Sequence, residues 1–359
     1  MYSLIRHQFF QFLRKVGQTS DGRSVAAKTL DGLLYSPARS FIRPESLSSL
    51  PYSDLARTVA SIPTSHRSDI VFITGRFRSG STLLWNVFRQ LDQCTAYYEP
   101  FNERRWFDPT ARGEGTDGTH RGVSDYWREY NGLGELGQYF SDEWPNTKLF
   151  MDSQCWRPAM KRYIEILVEK ANGRPILQFN RIDFRLPWIS HYFPNAKIVH
   201  LFRHPRDEWF SCLFHDRCKH RDCSVQEFFE FEGFYLQAWS RDLQHHFPFL
   251  SVEAIHHPYH LFYFLWRLSY MFGMEYAHCS VAYEHLVESS RRTLTELFRV
   301  LEIQHYDLDE LTSFIDPRQS GRWKNYADEE WFCEQEAQCE RILADYLGTS
   351  CSKPKPVLL

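Results

Sequence analysis

A chain of 359 residues with 43% apolar and 24% charged side chains can bury one large core with appendages, or fold as two domains. Its net charge of −3 excludes a global basic field for nucleic acid, so any anion site must be local. Nine cysteines, an odd number without regular spacing, point to reduced thiols and a cytoplasmic setting, not a secreted disulfide scaffold.

No N-terminal run has the length or apolarity of a signal peptide or membrane span. Leu4, Ile5, Phe9, Phe12, Leu13 and Val16 share one helical face. That stripe fits contact with a membrane surface or, the favoured reading, docking on the protein's own domain. Residues 1–65 contain Ser36-Pro37, Arg43-Pro44, Leu50-Pro51 and Ile62-Pro63, and read as a helical extension and linker. An α/β domain is expected over 66–350, followed by a short tail over 351–359.

The run Ile70-Val71-Phe72-Ile73-Thr74 has the apolar, β-branched character of a strand buried on both faces. The chain then turns from Gly75 to Gly80, and Ser81 opens a helical pattern carried by Leu83, Leu84, Val87, Phe88 and Leu91. Strand, Gly/Ser loop and helix N-terminus together make an anion site, because free backbone N–H groups and the helix dipole converge there. Its candidate ligands are Arg78, Ser79, Gly80, Ser81 and Thr82. A nucleoside-triphosphate loop would place Lys where Ser81 stands. The basic residue lies inside the loop instead, as Arg78, so magnesium–triphosphate chemistry lacks a central part.

Ala96–Phe101 reads as a second strand ending in a turn at Pro100. Residues 104–147 are glycine-rich, charged and poor in aliphatics, a composition suited to a long surface excursion that could serve as lid or substrate loop. Leu149–Asp152 reads as a short strand and Arg157–Ala171 as a helix closed by Asn172-Gly173. Strands follow at Pro175–Asn180 and Ala196–Phe202. Residues 224–276 are aromatic-rich and helical in pattern, too short in their apolar run for a membrane span. Ser280–Tyr283 gives a last strand and Arg291–Leu301 an amphipathic helix. This alternation predicts a P-loop-like three-layer α/β/α fold with a mainly parallel central sheet.

Arg203-His204-Pro205-Arg206-Asp207 follows the strand 196–202 directly, with Ser211 two turns into the next helix. Strand C-termini in open α/β sheets face the ligand crevice, so Arg203 and Ser211 are candidates for a second phosphate. The bland alternative is a capping turn with an Arg206–Asp207 surface pair. Cys212, His215, Cys218, His220 and Cys223 crowd together, but their spacing matches no usual zinc site.

Two phosphate-type turns on one sheet, without magnesium ligands, suit a nucleotide carrying a 5′-phosphosulfate and a separate 3′-phosphate. Here the sequence resembles the sulfotransferases that use 3′-phosphoadenosine 5′-phosphosulfate (PAPS). Gly75–Leu84 resembles the family's 5′-phosphosulfate loop, with Arg78 in place of lysine as in its glycan- and tyrosine-directed branches. Arg203 to Ser211, with the Pro205-Arg206-Asp207 core, resembles the 3′-phosphate motif. Asn180 to Trp188, Tyr283-Glu284-His285-Leu286 and Ser320–Tyr326 are further echoes, the last resembling a loop that closes over the nucleotide through Gly321, Arg322 and Trp323.

The resemblance implies sulfuryl transfer from PAPS to an acceptor hydroxyl or amine, without a metal, with Arg78 and the loop meeting charge on the leaving group. Tyr98-Glu99-Pro100-Phe101 resembles the segment carrying a catalytic glutamate, so Glu99 is the candidate general base. Its structural alternative is a carboxylate that pairs with Arg78 or Arg104. His120 and His200 are further candidates, since cytosolic members use histidine, and Lys148 could assist the leaving group. The acceptor is left among small molecules, glycans, tyrosyl peptides and lipid headgroups. A magnesium-dependent kinase with a degenerate loop and a non-catalytic bisphosphate-binding protein are the competing readings.

Overall fold

The computed structural model describes residues 67–118, 120, 122–313, 315–316, 321–347 and 357–358, all within the unit Thr64–Leu359. The extension expected over 1–65 lies outside the described residues, as do Ser320 and most of the tail. Six strands form one sheet: β1 (Val71–Thr74), β2 (Cys94–Tyr98), β3 (Arg174–Phe179), β4 (Lys197–Phe202), β5 (Cys279–Ala282) and β6 (Val357–Leu358). Their order is β2-β3-β1-β4-β5-β6, and every pairing is parallel. β1 lies at the centre, with Phe72 beside Leu177 of β3 and Ile198 of β4. Val71, Phe72 and Ile73 are fully buried, which is why this strand carries no polar face.

The helices are α1 (Ser81–Arg89), α2 (Pro158–Lys170), α3 (Leu186–Tyr192), α4 (Pro205–Cys212), α5 (Val225–Phe231), α6 (Leu236–Leu243), α7 (Pro258–Tyr276), α8 (Tyr283–Glu288), α9 (Ser290–Leu301), α10 (Leu308–Ser313) and α11 (Glu329–Leu347). α1, α2 and α9 contribute to the core that contains the sheet. The aromatic part over 224–276 is helical and builds a second core around Trp209, Trp239 and Phe262, which α11 completes with Phe332 and Leu343. Among the described residues no helix is long and apolar enough to cross a membrane. α7 buries Leu261, Phe264 and Leu265 inside the protein instead.

One expectation changes. Leu149–Asp152 is not a strand. The N–H groups of Lys148 and Leu149 are taken by the Asp242 carboxylate, both at 2.8 Å, and that of Met151 by Phe184 O at 3.2 Å. No ladder remains for them to join. Among its described residues the stretch 104–147 carries short 3-10 helices, at Arg128–Tyr130 and Gly134–Gln138, and it is anchored on the rest of the domain. Trp106, Tyr126, Tyr130 and Trp144 are buried, and Tyr130 OH donates to Tyr98 O at 2.9 Å. The half-buried Arg89 of α1 ties the stretch down through Glu129 (2.8 Å) and Asp125 (2.6 Å).

The chain leaves β1 toward β2 on one side and later returns to β4 on the other, so the topology switches at β1, where ligands bind in such sheets. The loop after β1 fits tightly there. A Cβ on Gly75 would stand 2.6 Å from Leu201 O, and one on Gly80, whose φ is 96°, would stand 2.3 Å from the Tyr283 ring. Gly80→Ala is expected to cost about 1–3 kcal/mol, read as a lower urea midpoint; an unchanged midpoint would show that Tyr283 yields freely.

Beneath the strand ends lies a buried charged layer. Arg76 is 5% exposed, stacks over Trp239 at 4.8 Å, and has Nε and Nη1 without hydrogen-bond partners among the described residues. Asp183 accepts from Thr74 Oγ1 and from Ser269 Oγ (2.8 Å), tying β1 to α7. Glu208 of α4 is fully buried with both carboxyl oxygens unpartnered, and burial pushes its pKa up to about 8. In the unfolded chain this carboxyl loses its proton near 4.5, whereas the folded one keeps it to about 8. Between these values the native state binds more protons, so the group's contribution to stability falls as pH rises through that window. Glu208→Gln should therefore gain stability relative to wild type between about pH 5 and about pH 8, by roughly 1–3 kcal/mol. Urea unfolding of both proteins across that range checks the slope, and a pH-independent difference would refute it.

Candidate active site

Four strand ends deliver polar groups to a cavity of about 310 Å³. β1 supplies the loop with Arg78. β2 ends at Glu99, β3 at Asn180 and Arg181, and β4 at Arg203, and all of these line the cavity.

Arg78 adopts a positive φ of 69° and is held over Phe214 at 5.4 Å and near Asp117 at 3.7 Å. Arg203 Nη1 donates to the Arg78 carbonyl at 3.3 Å, so the two anion turns touch each other. The Arg203 guanidinium also lies over the Tyr283 ring at 4.7 Å. Arg78 Nε, Ser79 Oγ and Arg203 Nε are buried without partners among the described residues. Three unsatisfied donors in adjoining turns are unusual for a folded interior. The hydroxyls of the helix start are engaged: Ser81 Oγ donates to Asn180 Oδ1 at 2.8 Å, and Thr82 Oγ1 lies 3.0 Å from Tyr98 OH.

Glu99 is 5% exposed and adopts a positive φ of 38°, an uncommon conformation for a residue with a side chain. Its carboxylate accepts from Asn102 Nδ2 (2.8 Å), Asn180 Nδ2 (2.6 Å) and Arg181 Nη1. The structural partner considered for it was Arg78 or Arg104; the partner present is Arg181. Arg104 instead donates to the carbonyls of Arg112 (2.7 Å) and Gly115 (2.9 Å). Arg181 also binds Glu103 at 2.7 Å, and Glu103 accepts from Tyr235 OH. Oε2 of Glu99 takes two of these bonds and Oε1 only one, so Oε1 keeps acceptor capacity.

The other candidates are separated by their surroundings. His200 is 1% exposed, and burial drives its pKa down to about 3. Its Nδ1 lies 3.1 Å from Ser280 Oγ, and it packs where Gly273 leaves no room for a Cβ; it is a core histidine. His120 lines the cavity with Nδ1 2.5 Å from Tyr126 OH. Lys148 lies outside the cavity lining and borders a different one. Ser211 is also outside the lining, and its hydroxyl donates to Glu208 O at 2.8 Å.

Gly321, Arg322 and Trp323 stand beside α4 and do not line the cavity. The N–H groups of Gly321 (2.8 Å) and Trp323 (3.3 Å) donate to Asp207, while Arg206 lies over the Trp323 ring and pairs with Glu336 at 2.8 Å. Arg206 and Asp207 therefore fasten the C-terminal segment to α4 and make no surface pair with each other. Among the described residues no cluster of His, Cys, Asp or Glu is arranged to hold a metal ion.

Asn180 and Arg181 are the hydrogen-bonding neighbours of Glu99. The same rule that singled out Arg203, a polar residue directly after a buried strand, applies to both. Tyr98 and Tyr235 had no local signal: their partners lie 16 and 132 residues away.

The sequence profile described as "Sulfotransferase family" matches residues 70–307. No curated protein matches the chain. Among solved structures, the sulfotransferase STF9 from Mycobacterium avium is similar at 13% identity, over 85% of this chain and 81% of its own, with a TM-score of 0.43. A sulfotransferase from Alicyclobacillus acidocaldarius is similar at 16% identity, over 78% and 96%, with a TM-score of 0.37. A retinol dehydratase in complex with retinol and PAP is similar at 15% identity, over 85% and 88%, with a TM-score of 0.30. The profile spans well over half of the chain and takes in both anion turns, and the protein belongs to the sulfotransferase family.

Proposed function

We propose that the protein transfers a sulfuryl group from PAPS to an acceptor hydroxyl or amine, with Glu99 as general base. The observation that carries this reading is the pair of buried, unpartnered donors on Arg78 and Arg203, set in two touching turns that line one cavity together with Glu99. Buried polar groups without partners are costly, and an anionic ligand with two separate phosphate-type groups would satisfy them. Arg78, the loop N–H groups and the N-terminus of α1 would hold the phosphosulfate end, and Arg203 the 3′-phosphate. PAPS supplies the activated sulfuryl group.

The chain's own residues then have distinct tasks. Arg78 and the loop N–H groups meet the negative charge that grows on the leaving oxygen. Glu99 Oε1, with acceptor capacity to spare, takes the acceptor's proton, while Asn180 and Arg181 fix the carboxylate's orientation. Trp106, Tyr126, Phe234 and Tyr235 give the cavity a ring-lined side suited to an acceptor with an apolar face, whether small molecule, glycan or tyrosyl peptide. Ser211 and the Gly321–Trp323 segment support α4 behind Arg203. A cytoplasmic setting accords with the described cysteines, none of which forms a disulfide.

Calorimetric titration with adenosine 3′,5′-bisphosphate should show binding without magnesium, weakened about 10- to 100-fold by Arg203→Ala. Absence of binding to the wild type, or preference for magnesium–ATP, would overturn the reading in favour of a kinase. Glu99→Gln should lower turnover with PAPS and a competent acceptor by about 10²–10⁴-fold while leaving bisphosphate affinity within about threefold. Loss of nucleotide affinity in step with turnover would instead make Glu99 a structural residue.

A further inference from the structure

A second cavity, of about 210 Å³, shares no lining residue with the first. At its base lies Arg185, only 1% exposed, with no carboxylate in ion-pair contact among the described residues. Its guanidinium lies over the Phe101 ring at 5.8 Å and hydrogen-bonds only to backbone carbonyls: Nη2 donates to Trp144 O and Thr147 O, both at 2.9 Å, Nη1 to Arg181 O at 2.9 Å, and Nε to Lys148 O at 3.3 Å. These bonds fix the group's orientation without placing a carboxylate in contact with it. Burial lowers its pKa to about 9, with the Asp242 carboxylate opposing the shift and Arg181 and Arg157 adding to it. A buried cation with no carboxylate in contact is expensive, and an anion in the cavity would offset that cost.

The rest of the lining points the same way. Pro158, Ala159 and Met160, the first turn of the 13-residue helix α2, face the cavity. That helix start has no side-chain cap and no acidic residue in its first turn, so its N–H groups and dipole are open to an anion. Arg157 and Lys148 add two more cations. Glu143 is the one carboxylate in the lining; it is exposed and forms no ion pair among the described residues. At the rim, Trp156 is 50% exposed and offers a flat apolar face.

We infer that this cavity is a binding site, separate from the catalytic one, for a small oxyanion (carboxylate or sulfate ester) carried on a flat apolar body. The head group would sit between Arg185, Arg157 and the start of α2, and the body against Trp156. Arg185 is reached through Arg181 O from the residue that grips Glu99, so the two cavities share a structural spine without sharing a wall.

The test is calorimetric titration of the full chain with 4-nitrophenyl sulfate, benzoate and 4-nitroanisole, a neutral aromatic without an ionisable or acceptor hydroxyl. The first two are expected to bind and the third not; the stronger of the two anions identifies the head group. Each titration is repeated on Ala159→Glu, which places a carboxylate at an exposed position of the α2 N-terminus. That change favours the helix and leaves the core untouched. It should weaken both anions at least about tenfold while thermal stability is unchanged or raised. Lys148→Ala, at an exposed rim position, should weaken them by a smaller factor. Absence of anion binding to the wild type, equal binding of 4-nitroanisole, or affinity unchanged in Ala159→Glu would overturn the assignment.

Discussion

Two anion-binding turns can serve one nucleotide only if the strands that launch them lie side by side. In this protein β1 and β4 pair directly, with Thr74 opposite His200 at the end of the register. The turns beyond them meet through the bond from Arg203 to the Arg78 carbonyl. Gly75 is fitted under Leu201 and Gly80 against Tyr283, so loop, strand end and the start of α8 are mutually locked. Everything else at the site inherits its position from this contact. A parallel sheet makes it possible, because all of its C-terminal ends emerge on one edge.

The same edge carries a dense polar network. Ser81, Asn180, Glu99, Arg181, Glu103 and Tyr235 form a continuous chain of hydrogen bonds across three strand ends. Such a network rigidifies a carboxylate and holds it in one orientation, which suits a general base working beside a rigid anion cradle. Behind it lie three buried ionisable groups: Arg76 and Glu208, with polar atoms unpartnered among the described residues, and Asp183, held by Thr74 and Ser269. The cost of that layer is tolerated where the surrounding aromatic core, with Trp209 and Trp239, fixes the backbone.

The C-terminal helix has a role that its distance in sequence hides. α11 meets α4 through the Arg206–Glu336 pair and meets α7 through Tyr259 OH and Tyr263 OH, which donate to Glu336 and Glu340. Asp207 receives two N–H groups from the turn ahead of α11. The residues between Arg203 and Ser211 thus work mainly as fasteners, and Arg203 alone of the pair reaches the cavity.

Strands β1, β3 and β4 were legible because each is a short run with an apolar, β-branched centre (Val71-Phe72-Ile73, Ile176-Leu177, Ile198-Val199), and a parallel sheet buried on both faces favours that composition. The turn after β1 was legible because its geometry depends on contiguous residues, with Gly75 and Gly80 where the backbone approaches Leu201 and Tyr283 closely. Arg203 was legible from its place directly after a strand. The pairing of Glu99 with Arg181 was not, since 82 residues separate them and only the juxtaposition of β2 and β3 joins them. Likewise the burial of the aromatics of 104–147 carried no periodic signal, because they pack on one another across irregular spacings, as Trp106 does on Tyr126 and Phe107 on Phe140, and on Tyr97 and Tyr98 of β2. Short-range order wrote the strands and the phosphate loop; the parallel stacking of distant strand ends decided which charged groups would meet.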